Sequence, residues 1–493
     1  MAQFTFVDLF AGIGGFHLAL KENGGEFLAF SEIDRNAIST YCTNHNCSEL
    51  KNLGDITKLK NLPSHDLLTA GVPCQSWSIA GKNLGFDDDR GQLWNDTIYL
   101  LNKSRPKAFI FENVKGLTDP RNKEALEYIL SRIREAGYYA KPLILNSFDY
   151  GVVQNRVRVY IVGFREKKYL ELFSTPQKVQ HELKLYDVLT DFSVGHIEKK
   201  KFSSDDIFGG TVPVSRTRFQ KEDEVNDFFL FNDIRNGHST IHSWDIIETT
   251  ALEKEVCYAL MRNRRKKVYG KKDGNPLSLT HLRELVPEVD LALINSLISK
   301  EILKKVPFAF QVNEAKLEDI NAKEQFFFEK IDASVFSLND IAEHVRFYST
   351  KKLNWKKVLE GLVDKNIVSI DEYRFDFKHS KISSGINGVN RIYLPNSDVF
   401  STLVASDTND FIATDYVTFS TPNEYKEKFI EQIFEKKKYR KVTKKEACKI
   451  QGFPVDFKLQ SKRSIWMKLL GNSVSVPVID RLVKSIIYTG VFK

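Results

Sequence analysis

The first third of the chain carries its apolar residues in short unbroken runs, not at the three-to-four-residue spacing of a surface helix. Thr5-Phe6-Val7-Asp8-Leu9-Phe10, Phe27-Leu28-Ala29-Phe30, Asp66-Leu67-Leu68-Thr69-Ala70-Gly71 and Ala108-Phe109-Ile110-Phe111 each stop at a polar or turn-forming residue. Runs this short predict strands of a parallel sheet covered on both faces. Between them the spacing becomes helical: Leu18 to Leu20 before Gly24-Gly25, then Leu93, Trp94, Ile98, Leu100 and Leu101, then Lys123 to Ala136. A hairpin follows, its second strand carrying Gln154-Asn155-Arg156-Val157-Arg158-Val159-Tyr160. Strands alternating with helices predict an α/β fold, whose sites lie at the carboxyl ends of the strands.

The chemistry of the chain sits at those ends. After the first strand, Gly12, Gly14 and Gly15 let backbone approach a ligand at a helix N-terminus, or simply make a tight turn. The loop lacks dinucleotide spacing, because His17 stands where a further glycine is needed. Glu32-Ile33-Asp34 ends the second strand roughly twenty residues on, where an acid can accept ribose hydroxyls. Asp55 follows, suited to an adenine amino group. Each acid alone can be a helix cap; three in series favour an adenosine-containing cofactor.

The third strand delivers Pro73-Cys74-Gln75-Ser76 to its loop, where a cysteine is either a nucleophile or a small buried apolar residue. The polar stretch Gly81 to Gly91 reads as a lid or a surface turn. The fourth strand ends in Glu112-Asn113-Val114, a carboxyl group that burial would raise in pKa and make a proton donor near neutrality. Strand alternation places Arg156 and Arg158 on one face, as two fixed cations or as solvent-facing side chains.

Composition narrows the class. The 493 residues leave room for two or three domains, and 42% apolar with 28% charged residues describe a globular protein. The net charge of +8 suits a polyanionic partner. Five cysteines at irregular spacing predict no disulfide framework, and Cys42, Cys47 and His45 lack a second ligand pair, so no metal site is expected. Without a long apolar run or a signal-peptide pattern, the sequence predicts a cytoplasmic protein away from membranes.

Six ordered motifs carry a resemblance. Asp8-Leu9-Phe10-Ala11-Gly12-Ile13-Gly14-Gly15-Phe16, Gly71-Val72-Pro73-Cys74-Gln75-Ser76, Glu112-Asn113-Val114, Gln154-Asn155-Arg156-Val157-Arg158, Arg440-Lys441-Val442-Thr443 running to Gln451-Gly452-Phe453-Pro454, and Gly471-Asn472-Ser473-Val474 resemble the DNA (cytosine-5) methyltransferase family of bacterial restriction-modification systems. Val157 and Val442 are small departures from its pattern. The resemblance implies a Rossmann-like domain that uses S-adenosylmethionine and releases S-adenosylhomocysteine: a mixed, mostly parallel sheet with helices on both faces, plus an inserted α+β target-recognition domain. It implies cofactor contacts from Phe10, Gly12, Ile13, Gly14, Glu32, Ile33, Asp55, Ile56, Pro73, Leu93, Asn472 and Ser473. It further implies Cys74 as nucleophile beside Gln75, Glu112 as proton partner of the target ring, and Arg156 and Arg158 steadying the base and Glu112. The target base must then leave the duplex stack to reach the pocket.

The resemblance covers about residues 1–165 and 440–493, so the catalytic domain is expected to be discontinuous around an insert at 166–439. Within it, Leu277-Ser278-Leu279-Thr280-His281-Leu282 leading to Leu297 to Leu303 parallels Phe336-Ser337-Leu338-Asn339-Asp340-Ile341 leading to Leu362 to Val368. That parallel suggests winged-helix-like units at about 252–375, for DNA or for packing. Arg262, Arg264, Arg265, Lys266, Lys267, Lys271 and Lys272 form a basic run that reads as a solvated face or a phosphate contact. The expected partner is double-stranded DNA, with a cognate endonuclease acting on the same site without an obligate complex, and the expected state is a monomer in the bacterial cytoplasm. Two alternatives are the same chemistry on tRNA, against which the long insert argues, and a silent DNA-binding protein, against which intact Cys74, Glu112, Arg156 and Arg158 argue.

Overall fold

A computed structural model describes residues 3–73, 89–180, 183–190, 229–230, 242–270, 274–331, 333–341, 354–378, 389, 391–395, 397, 399–417 and 422–493. The apolar runs become β1 (Phe4–Leu9), β2 (Gly25–Ser31), β3 (Leu67–Gly71) and β4 (Ala108–Val114), paired in parallel. The helical stretches become α1 (Gly15–Glu22), α2 (Arg35–His45), α3 (Asp89–Ser104) and α4 (Lys123–Glu135). β5 (Tyr139–Asn146) and β7 (Val157–Phe164) complete a six-stranded sheet of order β2-β1-β3-β4-β7-β5, in which β7 runs antiparallel to both neighbours. Side-chain alternation sends Phe109 and Phe111 to one core and Ala108 and Ile110 to the other. The sheet is therefore buried on both faces, which is why its strands are apolar without a break.

The hairpin differs from expectation at its entry. Gln154–Asn155, β6, leaves the main sheet and pairs in parallel with Phe400–Ser401. The Gln154 side chain is fully buried and donates to Ile450 O at 2.9 Å and Gln451 Oε1 at 2.7 Å, so the second half of the chain draws this segment out of the ladder.

In the insert, α5 (Ala251–Asn263), α6 (Leu279–Leu285), α7 (Leu291–Ser299) and β8 (Leu303–Val312) are followed by α8 (Ala322–Ile331), β9 (Val335–Ser337), α9 (Trp355–Asp364) and β10 (Val368–Phe377). The strands form a sheet of order β9-β8-β10. One residue of the expected phosphate-contact run is corrected here. Arg264 is 5% exposed and its guanidinium lies 3.0 Å from Asp376, because an acid brought in by β10 neutralises it inside the fold. Arg262, Arg265, Lys266 and Lys267 are exposed, and Lys271 and Lys272 lie outside the described residues.

The chain returns to the main sheet through α10 (Lys444–Gln451), α11 (Arg463–Asn472) and α12 (Val476–Tyr488). The capping box of α10 places Glu446 under Arg440, 2.7 Å away, and these partners hold its carboxyl down at about 2 against the opposing effect of burial. α12 packs on α1, and Phe492 stacks on Phe4 at 4.7 Å. Both ends of the chain thus share one core. Among the described residues, no helix is long and apolar enough to cross a membrane.

Candidate active site

A cleft of about 410 Å³ opens at the carboxyl ends of β1 to β4. Its floor is the turn after β1, which needs left-handed backbone at Phe10 (φ 50°), Gly12 (φ 56°) and Gly14 (φ 86°). Glycine makes the latter two inexpensive, whereas Phe10 must be held there. The holding comes from β2: Ala11 N donates to Ser31 O at 3.0 Å, and Gly12 N donates to Glu32 Oε2 at 2.9 Å. Glu32 Oε1 accepts from Ile33 N at 2.8 Å and Asp34 N at 2.9 Å. The carboxylate is thereby fixed facing the cleft by three backbone donors.

The rim follows from similar local rules. Asp34 caps α2 through Asn36 N at 2.9 Å and turns its other oxygen to Lys468 Nζ at 2.7 Å, closing the rim between the two ends of the chain. Burial acts to raise its pKa, but Lys468 and the cap hold it below the usual carboxylate range. Asp55 sits below its ordinary pKa because Thr57 N and Oγ1 donate to it at 3.0 and 2.9 Å. Ile33 is 71% exposed although it lines the cleft, a bare apolar surface that suits a flat ring. Phe10, Gly12, Glu32, Ile33, Asp55, Ile56, Pro73, Leu93 and Asn472 all line the space. Ile13 lies behind the wall with no exposure, as does Ser473 at 7%, and Gly14 backs onto His45. An apolar rim, two acids, Glu32 just after β2 and Asp55 at the start of the short 3-10 turn Ile56–Lys58, and an open glycine at position 12, where a Cβ would meet nothing within 4 Å, fit an adenosine-containing group.

The other half of the cleft holds the ionisable pair. Glu112 ends β4 at 8% exposure, and Arg158 Nε on β7 lies 3.1 Å from its Oε1. Burial raises the Glu112 pKa, and Arg158 and then Arg156 pull it back. Asn113 Nδ2 donates to Val72 O at 3.1 Å, pinning the turn that leads into Pro73-Cys74. The register pairs Gly71 with Glu112, so the chain heads toward Cys74 from beside the acid. Cys74, Gln75 and the stretch Gly81 to Asp88 lie outside the described residues.

Arg156 occupies a different place from the one strand alternation assigns. It falls between β6 and β7, is 2% exposed, and donates to Leu403 O at 3.0 Å, Gly471 O at 3.0 Å and Ser473 O at 2.7 Å. One guanidinium thus ties the arginine segment to the end of α11, where Asn472 stands.

Four side chains of the site carry no assignment from sequence. Asn52 Oδ1 accepts from Glu32 N and Gly54 N at 3.1 and 3.0 Å, joining the turn after β2 to the turn that leads to Asp55. Lys468 closes the rim. His45 lies against Ile13 O at 3.2 Å, stacks on His17 with ring centres 4.0 Å apart, and occupies the space a Cβ at Gly14 would need. Asp8, fully buried, accepts from Thr69 Oγ1 at 2.8 Å, and burial pushes its carboxyl up to about 8. A cap-like Asn before Gly, and a histidine on an apolar helix face, were the available signals.

Comparison with known proteins identifies the family. A family profile described as C-5 cytosine-specific DNA methylase matches residues 4–278 and 308–488. The type II methyltransferase M.HgiBI of Herpetosiphon aurantiacus is 40% identical over 488 residues, covering 99% of this chain and 97% of its own length. The type II methyltransferase M.BanI of Aneurinibacillus aneurinilyticus is 30% identical over 511 residues, covering 99% and 97%. Among solved structures, Entamoeba histolytica methyltransferase EhMeth is 13% identical with a TM-score of 0.48, covering 99% of both chains. A Spodoptera frugiperda DNMT2 variant is 17% identical with a TM-score of 0.44, covering 98% of this chain and 99% of its own.

Proposed function

The chain belongs to the family of C-5 cytosine-specific DNA methylases, and from that premise we propose that it methylates carbon 5 of a cytosine turned out of double-stranded DNA, using S-adenosylmethionine and the Cys74 thiol. The observation that carries this reading is the Glu112–Arg158 pair, buried at the strand edge beside the turn that leads to Cys74.

Carbon 5 of cytosine is a poor nucleophile until the ring is activated. Addition of the Cys74 thiolate to carbon 6 pushes electrons toward N3 and carbon 5. Glu112, kept protonatable by burial, holds a proton at N3 and stabilises that charge. Arg158 fixes the Glu112 carboxyl and offers its remaining N–H groups to the ring edge. Carbon 5, now nucleophilic, takes up the methyl group; its proton then passes to a base, and the electron pair left behind restores the 5,6 double bond and expels Cys74 as thiolate. Phe10, Gly12, Glu32, Ile33, Asp55 and Asn472 hold the cofactor, Glu32 toward the ribose and Asp55 toward the adenine. When bound, S-adenosylmethionine supplies an electrophilic methyl carbon and leaves as S-adenosylhomocysteine.

M.HgiBI and M.BanI are named as type II methyltransferases, which supports the same place for this chain, as the modifying partner of an endonuclease that recognises the same site. The family match to DNA methylases favours DNA over tRNA as substrate. The test uses duplex DNA carrying 5-fluorocytosine, whose carbon 5 cannot lose a proton. A covalent protein–DNA complex that forms with cofactor present and vanishes in Cys74→Ser is expected; equal complex in the variant contradicts the assignment.

A further inference from the structure

Residues 251–378 repeat themselves. α5, the bridge at Leu277, α6, α7 and β8 run in the same order as α8, β9, the helical turn Leu338–Asp340, α9 and β10. The correspondence holds residue by residue. Glu253 in the first turn of α5 is 2% exposed and meets Lys300 at 2.8 Å; Glu324 in the first turn of α8 is 4% exposed and meets Lys365 at 2.9 Å. Each lysine is followed by a residue at positive φ, Glu301 at 58° and Asn366 at 55°, and then by a buried isoleucine, Ile302 or Ile367. Ser278 and Ser337 cap the helix at the equivalent point in each copy.

The two copies share one ribbon. β8 pairs with β10 antiparallel, with Leu303 opposite Phe377 and Val312 opposite Val368, so exchanging the strands preserves the register. Leu277 bridges to Phe375, and Phe336 pairs with Phe310. Phe310 and Phe375 are the eighth residues of their strands. Each copy therefore completes its sheet with a strand of the other, around a two-fold axis through the ribbon.

One feature breaks the match. Between α5 and Leu277 the first copy has residues 264–276, where the second has only 332–334 between α8 and β9. The extra segment exposes Arg265, Lys266 and Lys267, with Val268 79% exposed beside them. It is also braced. Arg264 turns inward to Asp376, Asn275 Nδ2 donates to Arg264 O and Gly270 O at 3.1 Å each, and Arg374 Nη1 donates to Tyr269 O at 3.4 Å. On β8 the position equivalent to Asp376 is taken by exposed Gln311. The second copy reaches the same element order with the shorter connection, so the longer one is not needed for that order. Three consecutive exposed basic residues on this braced backbone present positive charge to solvent, which suits a polyanion.

We propose that residues 251–378 are two copies of one winged-helix-like unit built around a two-fold axis, and that the Arg265–Tyr269 loop, present only in the first copy, grips the phosphate backbone of the substrate duplex. The proposal rests on the reading of the chain as a DNA methylase and names a surface on which it holds its substrate. The duplication has its own readout: because the copies share a ribbon, Leu362→Ala in the second copy raises hydrogen exchange in β8 and β10 together. A rise confined to the second copy's helices, with the ribbon unchanged, contradicts the shared sheet.

The loop is tested in the full chain by Arg265→Ala with Lys266→Ala and Lys267→Ala, against an equal-charge control of Lys323→Ala with Lys356→Ala and Lys357→Ala. The measurement is Kd for a target duplex as salt is varied. The loop variant lowers the slope of log Kd against log salt by about two to three, as expected for roughly 0.9 per lost phosphate contact, and leaves donor affinity and kcat at saturating DNA unchanged. The control changes the slope by less than about one. An unchanged slope in the loop variant, or an equal fall in the control, overturns the loop assignment while methylation by the unaltered protein leaves the reading as a DNA methylase standing. Failure of the unaltered protein to bind or methylate DNA overturns that reading itself.

Discussion

Arg158 Nε lies 3.1 Å from Glu112 Oε1, with 15% and 11% of the two side chains exposed. Burial raises the acid's pKa and this cation lowers it, so the pair sets where Glu112 exchanges its proton. Arg158→Met removes the lowering effect and keeps the bulk. The limb of the kcat profile that falls as Glu112 deprotonates should move to higher pH, with a lower plateau. An unshifted limb in the variant contradicts the coupling.

Arg156 acts through backbone. It joins the segment before β7 to the carbonyls of Leu403, Gly471 and Ser473. Arg156→Ala leaves three buried acceptors without their charged donor and is expected to cost on the order of 3 kcal/mol or more. Arg156→Lys, which lacks the fork, should recover less than half of it. Denaturant unfolding reads the loss, and wild-type stability in Arg156→Ala contradicts the anchoring role.

His45 shapes the turn after β1 from behind. Its Nε2 donates to Ile13 O, and its ring fills the space beside Gly14. His45→Leu fills the space without a donor and should raise KM for the methyl donor about tenfold, on the scale of one lost buried hydrogen bond, with kcat within about twofold of wild type. His45→Gln restores an N–H and should recover part of the loss. Equal KM in all three proteins removes the positioning role.

Asp8 gives stability a pH dependence of definite sign. Burial pushes its carboxyl from 3.8 to about 8, so between those values the folded chain keeps a proton the unfolded chain has released. Its contribution is full at low pH and is lost as pH rises through that window. His45 runs the opposite way: burial lowers it from 6.5 to about 4, so its contribution is lost as pH falls below 6.5. Above pH 6.5 only Asp8 of the two acts. There the stability of the wild type relative to Asp8→Asn should fall by up to about 1.4 kcal/mol per pH unit, measured by unfolding at pH 6.5 to 8. A difference independent of pH contradicts a buried, protonated Asp8.

Much of the catalytic half is legible in sequence because strands buried on both faces are apolar throughout, and the polar residues that interrupt them mark the site. Glu32 and Glu112 are found this way, and both line the cleft. Arginines are harder to read. Arg264 looks like its basic neighbours until β10 brings Asp376 to it, and Arg156 is claimed by carbonyls 247 to 317 residues further along the chain. The parallel between Leu297 to Leu303 and Leu362 to Val368 is visible in the letters, but strand exchange between the copies depends on long-range pairing that no local pattern encodes.

The central claim is methyl transfer to carbon 5 of cytosine in DNA through Cys74, with Glu112 as the acid. The most direct measurement incubates the protein with labelled S-adenosylmethionine and mixed genomic DNA or total RNA, then maps modified bases, with Cys74→Ser and Glu112→Gln in parallel. The account predicts label at cytosine carbon 5 within one short DNA sequence, none with Cys74→Ser, and a rate about 10² to 10⁴ lower with Glu112→Gln. Label confined to RNA, or undiminished in Cys74→Ser, would contradict it.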